Sequence, residues 1–192
     1  MINFKNSTFI KSLTDVKEKP SGNLPEVLIV GKSNVGKSSL INALTGRNRL
    51  AFTSSKPGHT KLLNYYLIDN RFYLVDAPGY GFAKGGVDLD RLFGEMMENY
   101  FVDNNELKLV LLLIDSRREF NQNDIEILEY VKENHIPYMI VITKTDKVNQ
   151  SEKAKLQKHL TELAIEKELV YLTSALETRS LDKLKSAIEK AL

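Results

Sequence analysis

This 192-residue sequence predicts a three-layer α/β fold around a mostly parallel six-stranded sheet. Three observations point there. Four short apolar runs, Val27 to Val30, Leu109 to Ile114, Tyr138 to Ile142 and Leu169 to Leu172, lack the alternation of a half-buried strand and suit strands covered on both faces. Between them, apolar residues recur at helical spacing: Leu89, Leu92, Phe93, Met96, Met97, Tyr100 and Phe101; Leu156, Leu160 and Leu163; Leu181, Leu184, Ile188 and Leu192. Ile127 and Val131 mark a further helix ending before Pro137. Strands alternating with helices require parallel crossovers. The exception is Leu62 to Ile68 and Arg71 to Val75, separated only by Asp69 and Asn70, which read as a hairpin and place one antiparallel strand at the sheet edge.

The length fits a single domain over residues 1–192, with residues 1–24 as an extension packed on it and ending in a Pro/Gly-rich stretch. Hydrophobic residues at 42% and charged residues at 27% fit a packed core and exclude disorder. Lys plus Arg less Asp plus Glu is 27 − 25 = +2, so any basic patch must be local. The lack of cysteine excludes disulfides, thiolate metal sites and cysteine nucleophiles. The longest apolar run, Leu109 to Ile114, is far short of the ~20 residues of a membrane span. The opening residues also lack an apolar stretch of signal-peptide length, so a cytoplasmic protein without membrane partners is expected. Arg47 to Lys61 and Ala77 to Val87 are long loop candidates of the kind that carry function.

The strand Val27 to Val30 runs into Gly31-Lys32-Ser33-Asn34-Val35-Gly36-Lys37-Ser38, a full G-x-x-x-x-G-K-[ST] match, and a helical pattern from Ser39 follows. Gly31 and Gly36 let the backbone curl so that successive N–H groups converge on phosphate oxygens at a helix N-terminus. Lys37 supplies positive charge to the β/γ-phosphates and Ser38 an oxygen for Mg²⁺. Downstream, Asp76-Ala77-Pro78-Gly79 closes a strand and fits D-x-x-G, with Asp76 toward Mg²⁺ and the Gly79 N–H toward the γ-phosphate. Thr60, within Pro57-Gly58-His59-Thr60, can give its hydroxyl to Mg²⁺ only while a γ-phosphate holds its loop. Thr143-Lys144-Thr145-Asp146 fits [NT]-K-x-D, whose carboxylate accepts from guanine N1–H and the exocyclic amine, two donors that adenine does not offer in that arrangement. Lys144 is expected along the base plane, and Thr173-Ser174-Ala175 to offer a backbone N–H to guanine O6. The guanine element, with no recognisable acceptor site or lid, argues against a small-molecule kinase.

GKSNVGKSSLINAL, PGHT, DAPGYGFAK, IDSRR, TKTD and TSA, in this order over nearly the whole chain, resemble the EngB family of bacterial TRAFAC-class GTPases. The resemblance implies a Ras-like P-loop NTPase fold with strand order 2-3-1-4-5-6, GTP and GDP with Mg²⁺ as ligands, and a role in late assembly of the large (50S) ribosomal subunit. It also implies a part in cell division and septation. Lys32 stands where arginine is usual, Lys61 where glutamine often follows the threonine, and the helix after the second switch lacks tryptophan.

Lys37, Thr60 and Gly79 are the expected catalytic contacts. The water-orienting residue is missing, because Tyr80 follows the D-x-x-G element where Ras-like enzymes carry glutamine, and substituted enzymes usually turn this side chain away. Slow intrinsic GTP hydrolysis, increased by a partner, is the consequence. The amide oxygen of Asn34 is a hard ligand that could help seat K⁺ and replace part of an arginine finger's charge; Arg47 and Arg49 are solvated loop charges or a finger in cis. His59, His135 and His159 lack metal-ligand spacing. From Thr45 to Val87 six basic residues face two acids, a local charge that suits rRNA and solvated loops equally; the family resemblance implies a 50S precursor, with its rRNA and ribosomal proteins, as the partner of a monomer. The alternative is a GTP switch for a cell-division protein, without ribosome binding.

Overall fold

The computed structural model describes residues 1–52, 62–81, 89–174 and 177–192. Within them the chain forms strands β1 (Ser7–Leu13), β2 (Glu26–Gly31), β3 (Leu63–Ile68), β4 (Phe72–Asp76), β5 (Leu107–Asp115), β6 (Tyr138–Thr143) and β7 (Val170–Leu172). The helices are α1 (Lys37–Thr45), α2 (Leu89–Phe101), α3 (Gln122–Glu133), α4 (Gln150–Glu162) and α5 (Thr178–Ala191). The sheet order is β1-β3-β4-β2-β5-β6-β7, which keeps the expected 2-3-1-4-5-6 arrangement for the last six strands. Parallel pairing joins β4, β2, β5, β6 and β7, whereas β3 runs antiparallel to β4.

The sheet has seven described strands where six were expected, and β3 is covered rather than at the edge. Strand β1, from the N-terminal extension, lies antiparallel against it from Ser7↔Ile68 to Leu13↔Leu63. Its sequence hides it. Only Ser7 and Leu13 are buried, Phe9 and Ile10 are exposed, and the register shifts between Phe9 and Lys11, so no period of two survives. What places β1 is the unpaired backbone edge of β3, a tertiary demand that a local pattern does not carry.

The hairpin between β3 and β4 turns on Asp69 and Asn70, both at φ 52°, the left-handed pair that a two-residue turn with matching twist requires. Asp69 then accepts hydrogen bonds from the Asn3 amide at 2.9 Å and Asn6 Nδ2 at 3.1 Å, tying the extension to the turn. Helices α3 and α4 each begin with a reciprocal capping box, Asn121 with Asp124 and Asn149 with Glu152.

Successive residues of β2 enter opposite cores. Leu28 and Val30 pack with Phe93, Met97 and Tyr100 of α2, Leu128 of α3 and Leu156 of α4. Val27 and Ile29 pack with Leu40 and Leu44 of α1 and Leu184 and Ile188 of α5. All four strand residues are fully buried, each burial contributing ~1.5–3 kcal/mol. The helices therefore fall three on one face and two on the other. Strand β7 departs from the expectation of burial on both faces: Leu172 is 55% exposed because β7 forms the far edge of the sheet. The carboxyl ends of β2, β4, β5 and β6 point the same way and bring four motif-bearing turns together at the crevice where such sheets bind ligands.

Candidate nucleotide-binding site

Gly31 ends β2 where a side chain has no room: a Cβ would stand 2.9 Å from both the Leu113 carbonyl oxygen and Val35 Cγ1. The loop then reverses through Asn34 at φ 64° and Gly36 at φ 113°, the second of which strains any L side chain. Two braces hold it, Val35 N–H to Lys32 O at 3.0 Å and Thr143 Oγ1 to Val35 O at 2.7 Å. The first intrahelical bond of α1 runs from Leu40 to Gly36, and the amides of Gly36, Lys37, Ser38 and Ser39 make no hydrogen bond among the described residues. Four convergent unsatisfied donors on a helix N-terminus form an anion cradle.

Asp76 ends β4 beside this cradle. Burial pushes its carboxyl up to about 6, while Lys37 and a hydrogen bond from Asn64 pull the other way. Its Oδ1 is buried without a hydrogen-bond partner. An orphaned, buried carboxylate oxygen is what a hard cation would satisfy. Among the described residues no group of three or more His, Cys, Asp or Glu could hold a metal by itself, so a cation here needs Ser38, Asp76 and phosphate oxygens together.

Beyond Asp76 and buried Ala77 and Pro78, the D-x-x-G turn is stitched to the P-loop. Ser33 donates its amide to Tyr80 O at 2.9 Å and its hydroxyl to Gly79 O at 3.1 Å. A Cβ on Gly79 would lie 2.8 Å from the Ser33 Cα. Tyr80 turns away, as substituted enzymes lead one to expect: its ring is buried, and its hydroxyl donates to Asp124, which also pairs with Arg118. Arg47 is engaged too, donating to the Ser7 carbonyl at 3.0 Å.

At the end of β6, Lys144 takes φ 57° and reaches back across the loop, donating to Asn34 O at 2.8 Å and pairing with Asp115 Oδ2 at 2.9 Å. Despite partial burial, hydrogen bonds from Arg117 and Lys144 hold the Asp115 carboxyl well below the usual range. Asp146 is exposed, and its carboxylate accepts from Ser174 Oγ at 2.9 Å. That bond, with Lys147 beside it, lowers the Asp146 pKa and keeps it ionised. Thr145 donates its amide to Thr173 O at 3.3 Å and its hydroxyl at 3.1 Å, locking the two base-side turns to each other.

The geometry thus gathers Gly31 to Ser39, Asp76 to Gly79, Thr143 to Asp146, Thr173 and Ser174 at one end of the sheet. Gly58, His59, Thr60 and Ala175 lie outside the described residues. Missing from the sequence reading were Asp115, which orients Lys144, and Ser116, whose hydroxyl donates to Lys144 O at 2.9 Å. The Asp-Ser-Arg-Arg stretch at 115–118 was their only signal.

Residues 26–144 match the family described as "50S ribosome-binding GTPase". A probable GTP-binding protein EngB of Prosthecochloris aestuarii is 41% identical over 184 residues, 96% of each chain. The chain belongs to the EngB family. EngB proteins are GTP-binding proteins and GTPases, and hydrolysis of GTP is accordingly this chain's activity. A crystal structure of a probable GTP-binding protein engB has the same fold, with a TM-score of 0.70 at 22% identity over 86% of this chain and 97% of that one. Era in complex with MgGDPNP and nucleotides 1506–1542 of 16S ribosomal RNA is 28% identical, with a TM-score of 0.63 over 88% of this chain and 57% of that chain. Among the described residues no helix is long and apolar enough to cross a membrane.

Proposed function

We propose that this EngB-family GTPase acts in the cytoplasm as a nucleotide switch in late assembly of the 50S ribosomal subunit, with slow Mg²⁺-dependent hydrolysis and a consequent part in cell division and septation. The reading rests chiefly on the match of residues 26–144 to a family described as 50S ribosome-binding. Era, a relative of the same fold, is known with MgGDPNP and ribosomal RNA, and the basic excess from Thr45 to Val87 adds charge suited to rRNA. The whole chain works as one domain, its extension bound through β1.

In this reading the amides of Gly36 to Ser39 hold the phosphates and Lys37 places its ammonium on the β/γ oxygens, where charge develops on transfer. Ser38 and Asp76, with Thr60 in the triphosphate state, hold Mg²⁺, which neutralises phosphate charge when bound. The Gly79 N–H meets the γ-phosphate. Asp146 reads guanine, with Lys144 along the base and Ala175 at O6. Asn34 contributes to a K⁺ site. With Tyr80 buried, the chain is left without an identified orienter for the attacking water, so turnover is slow until a ribosomal partner docks.

Sedimentation of the protein with 50S particles or their precursors, with GDP and with a non-hydrolysable GTP analogue, tests the reading. Co-sedimentation that depends on the analogue and weakens with salt is expected. No co-sedimentation in either nucleotide state would overturn it in favour of a cell-division protein as the partner.

A further inference from the structure

Helices α2 and α3 do not close on each other over their whole length. They leave a groove of about 360 Å³ floored by Phe93, Met97 and Ile127 and walled by Phe101 and Tyr130, whose rings meet at 4.7 Å. Gly94 sits in the middle of α2 and opens the groove: a Cβ there would find nothing within 4 Å. Glycine is the least favourable residue of a helix interior after proline, and no internal contact calls for it at this position. Space kept clear at that cost admits a close approach from outside.

The polar lining names the visitor. Glu98 and Glu126 flank the apolar floor, and among the described residues Glu126 accepts only from the neutral Gln122 at 2.9 Å. Among the described residues neither carboxylate forms an ion pair and no Lys or Arg lines the groove. An RNA would bring phosphates against them. A second copy docked by the same face would set the four carboxylates opposite one another. The floor is also one ring from the nucleotide site, since Phe93 packs at a tilt against Tyr80 at 5.1 Å and Tyr80 follows Gly79.

We propose that the α2–α3 groove is a docking site for a basic, amphipathic polypeptide segment of a partner protein, whose apolar side chains enter beside Gly94 and whose Lys or Arg residues pair with Glu98 and Glu126. This is helix-in-groove recognition with charge selecting the partner. It is independent of whether the remaining surface meets ribosomal RNA.

The test is fluorescence anisotropy of the full chain with three labelled peptides: a helical Leu/Lys peptide with leucines at i, i+3, i+4 and i+7, the same peptide with Glu for Lys, and oligolysine. Saturable binding of the Leu/Lys peptide alone is expected. Gly94→Leu, which fills the groove and favours the helix, should raise its Kd about tenfold or more, and Glu98→Lys with Glu126→Lys should do likewise. GDP affinity of both variants should equal that of the wild type, which separates this outcome from unfolding and from failure of the GTPase reading. Absence of saturable binding, equal binding of oligolysine, an unchanged Kd in Gly94→Leu, displacement by a single-stranded RNA, or self-association lost in Gly94→Leu would each overturn the proposal.

Discussion

Asp76→Asn isolates the electrostatics of the nucleotide site in a protein without ligand. Burial raises the folded pKa of Asp76 to about 6, against an ordinary value of 3.8. Between those two values the folded state holds a proton that the unfolded state has lost, so stability falls as pH rises through this window and levels off above the folded pKa. The displacement is 6 − 3.8 = 2.2 pH units, which corresponds to ~3 kcal/mol in all, about half of it between pH 5 and pH 8. The other aspartates with shifted values, Asp69, Asp115 and Asp146, are lowered and act in the opposite sense. Their contribution is fully present above the ordinary carboxylate range and is lost only in acid. Urea unfolding of the nucleotide-free protein should therefore show wild type losing about 1.5 kcal/mol between pH 5 and pH 8, with Asp76→Asn losing little of it. Mg²⁺ with GDP should stabilise wild type increasingly as pH rises through about 6 and should leave Asp76→Asn with the nucleotide contribution alone. An identical pH slope in the two proteins would refute the assignment of the buried charge.

Asp146→Asn should weaken GTP by about two orders of magnitude, ~3 kcal/mol, while improving relative affinity for xanthosine triphosphate; equal loss for both nucleotides in a competition assay would reject the guanine reading. Gly79→Ala should displace the D-x-x-G turn from Ser33, a clash at 2.8 Å that the backbone must relieve, so that GTP-analogue affinity falls while GDP affinity changes little. If Asn34 helps seat K⁺, hydrolysis measured with a stimulating partner should be faster in K⁺ than in Na⁺ at equal ionic strength, and Asn34→Ala should erase the difference. Tyr80→Phe should cost about 1–3 kcal/mol in urea unfolding by leaving Asp124 short of a donor, with intrinsic GTP turnover unchanged; a marked fall in turnover would put Tyr80 back in the catalytic site.

The parts of the site legible in the sequence were those whose chemistry is written in adjacent residues. Gly31 and Gly36 announce a backbone that no other residue can follow, and Lys37-Ser38 stand on the helix that the curl produces. Helix α2 was legible, because Phe93, Met97 and Tyr100 bury one stripe. Strand β1 was not, since its partner lies fifty or more residues away and its own residues bury only at the ends. Asp115 was hidden for a similar reason. Its function is to hold Lys144, which follows another strand and comes within reach only once β5 and β6 pair at Asp115↔Thr143. Local periodicity reports what a residue needs from water; it is silent on which distant side chain will need it.

The position of Tyr80 bears most directly on catalysis. Its hydroxyl could have faced the γ-phosphate only by leaving Asp124, a carboxylate with no solvent exposure that already pairs with Arg118 and caps α3. Withdrawing one donor from such a group leaves buried charge undercompensated, a penalty of several kcal/mol when the partner is ionic and somewhat less for a neutral hydroxyl. The ring packs against Phe93. Arg47 is held similarly by the Ser7 carbonyl, and Lys144 by Asn34 and Asp115. A site built this way presents preorganised amides and one ammonium, groups whose chemistry suits phosphate.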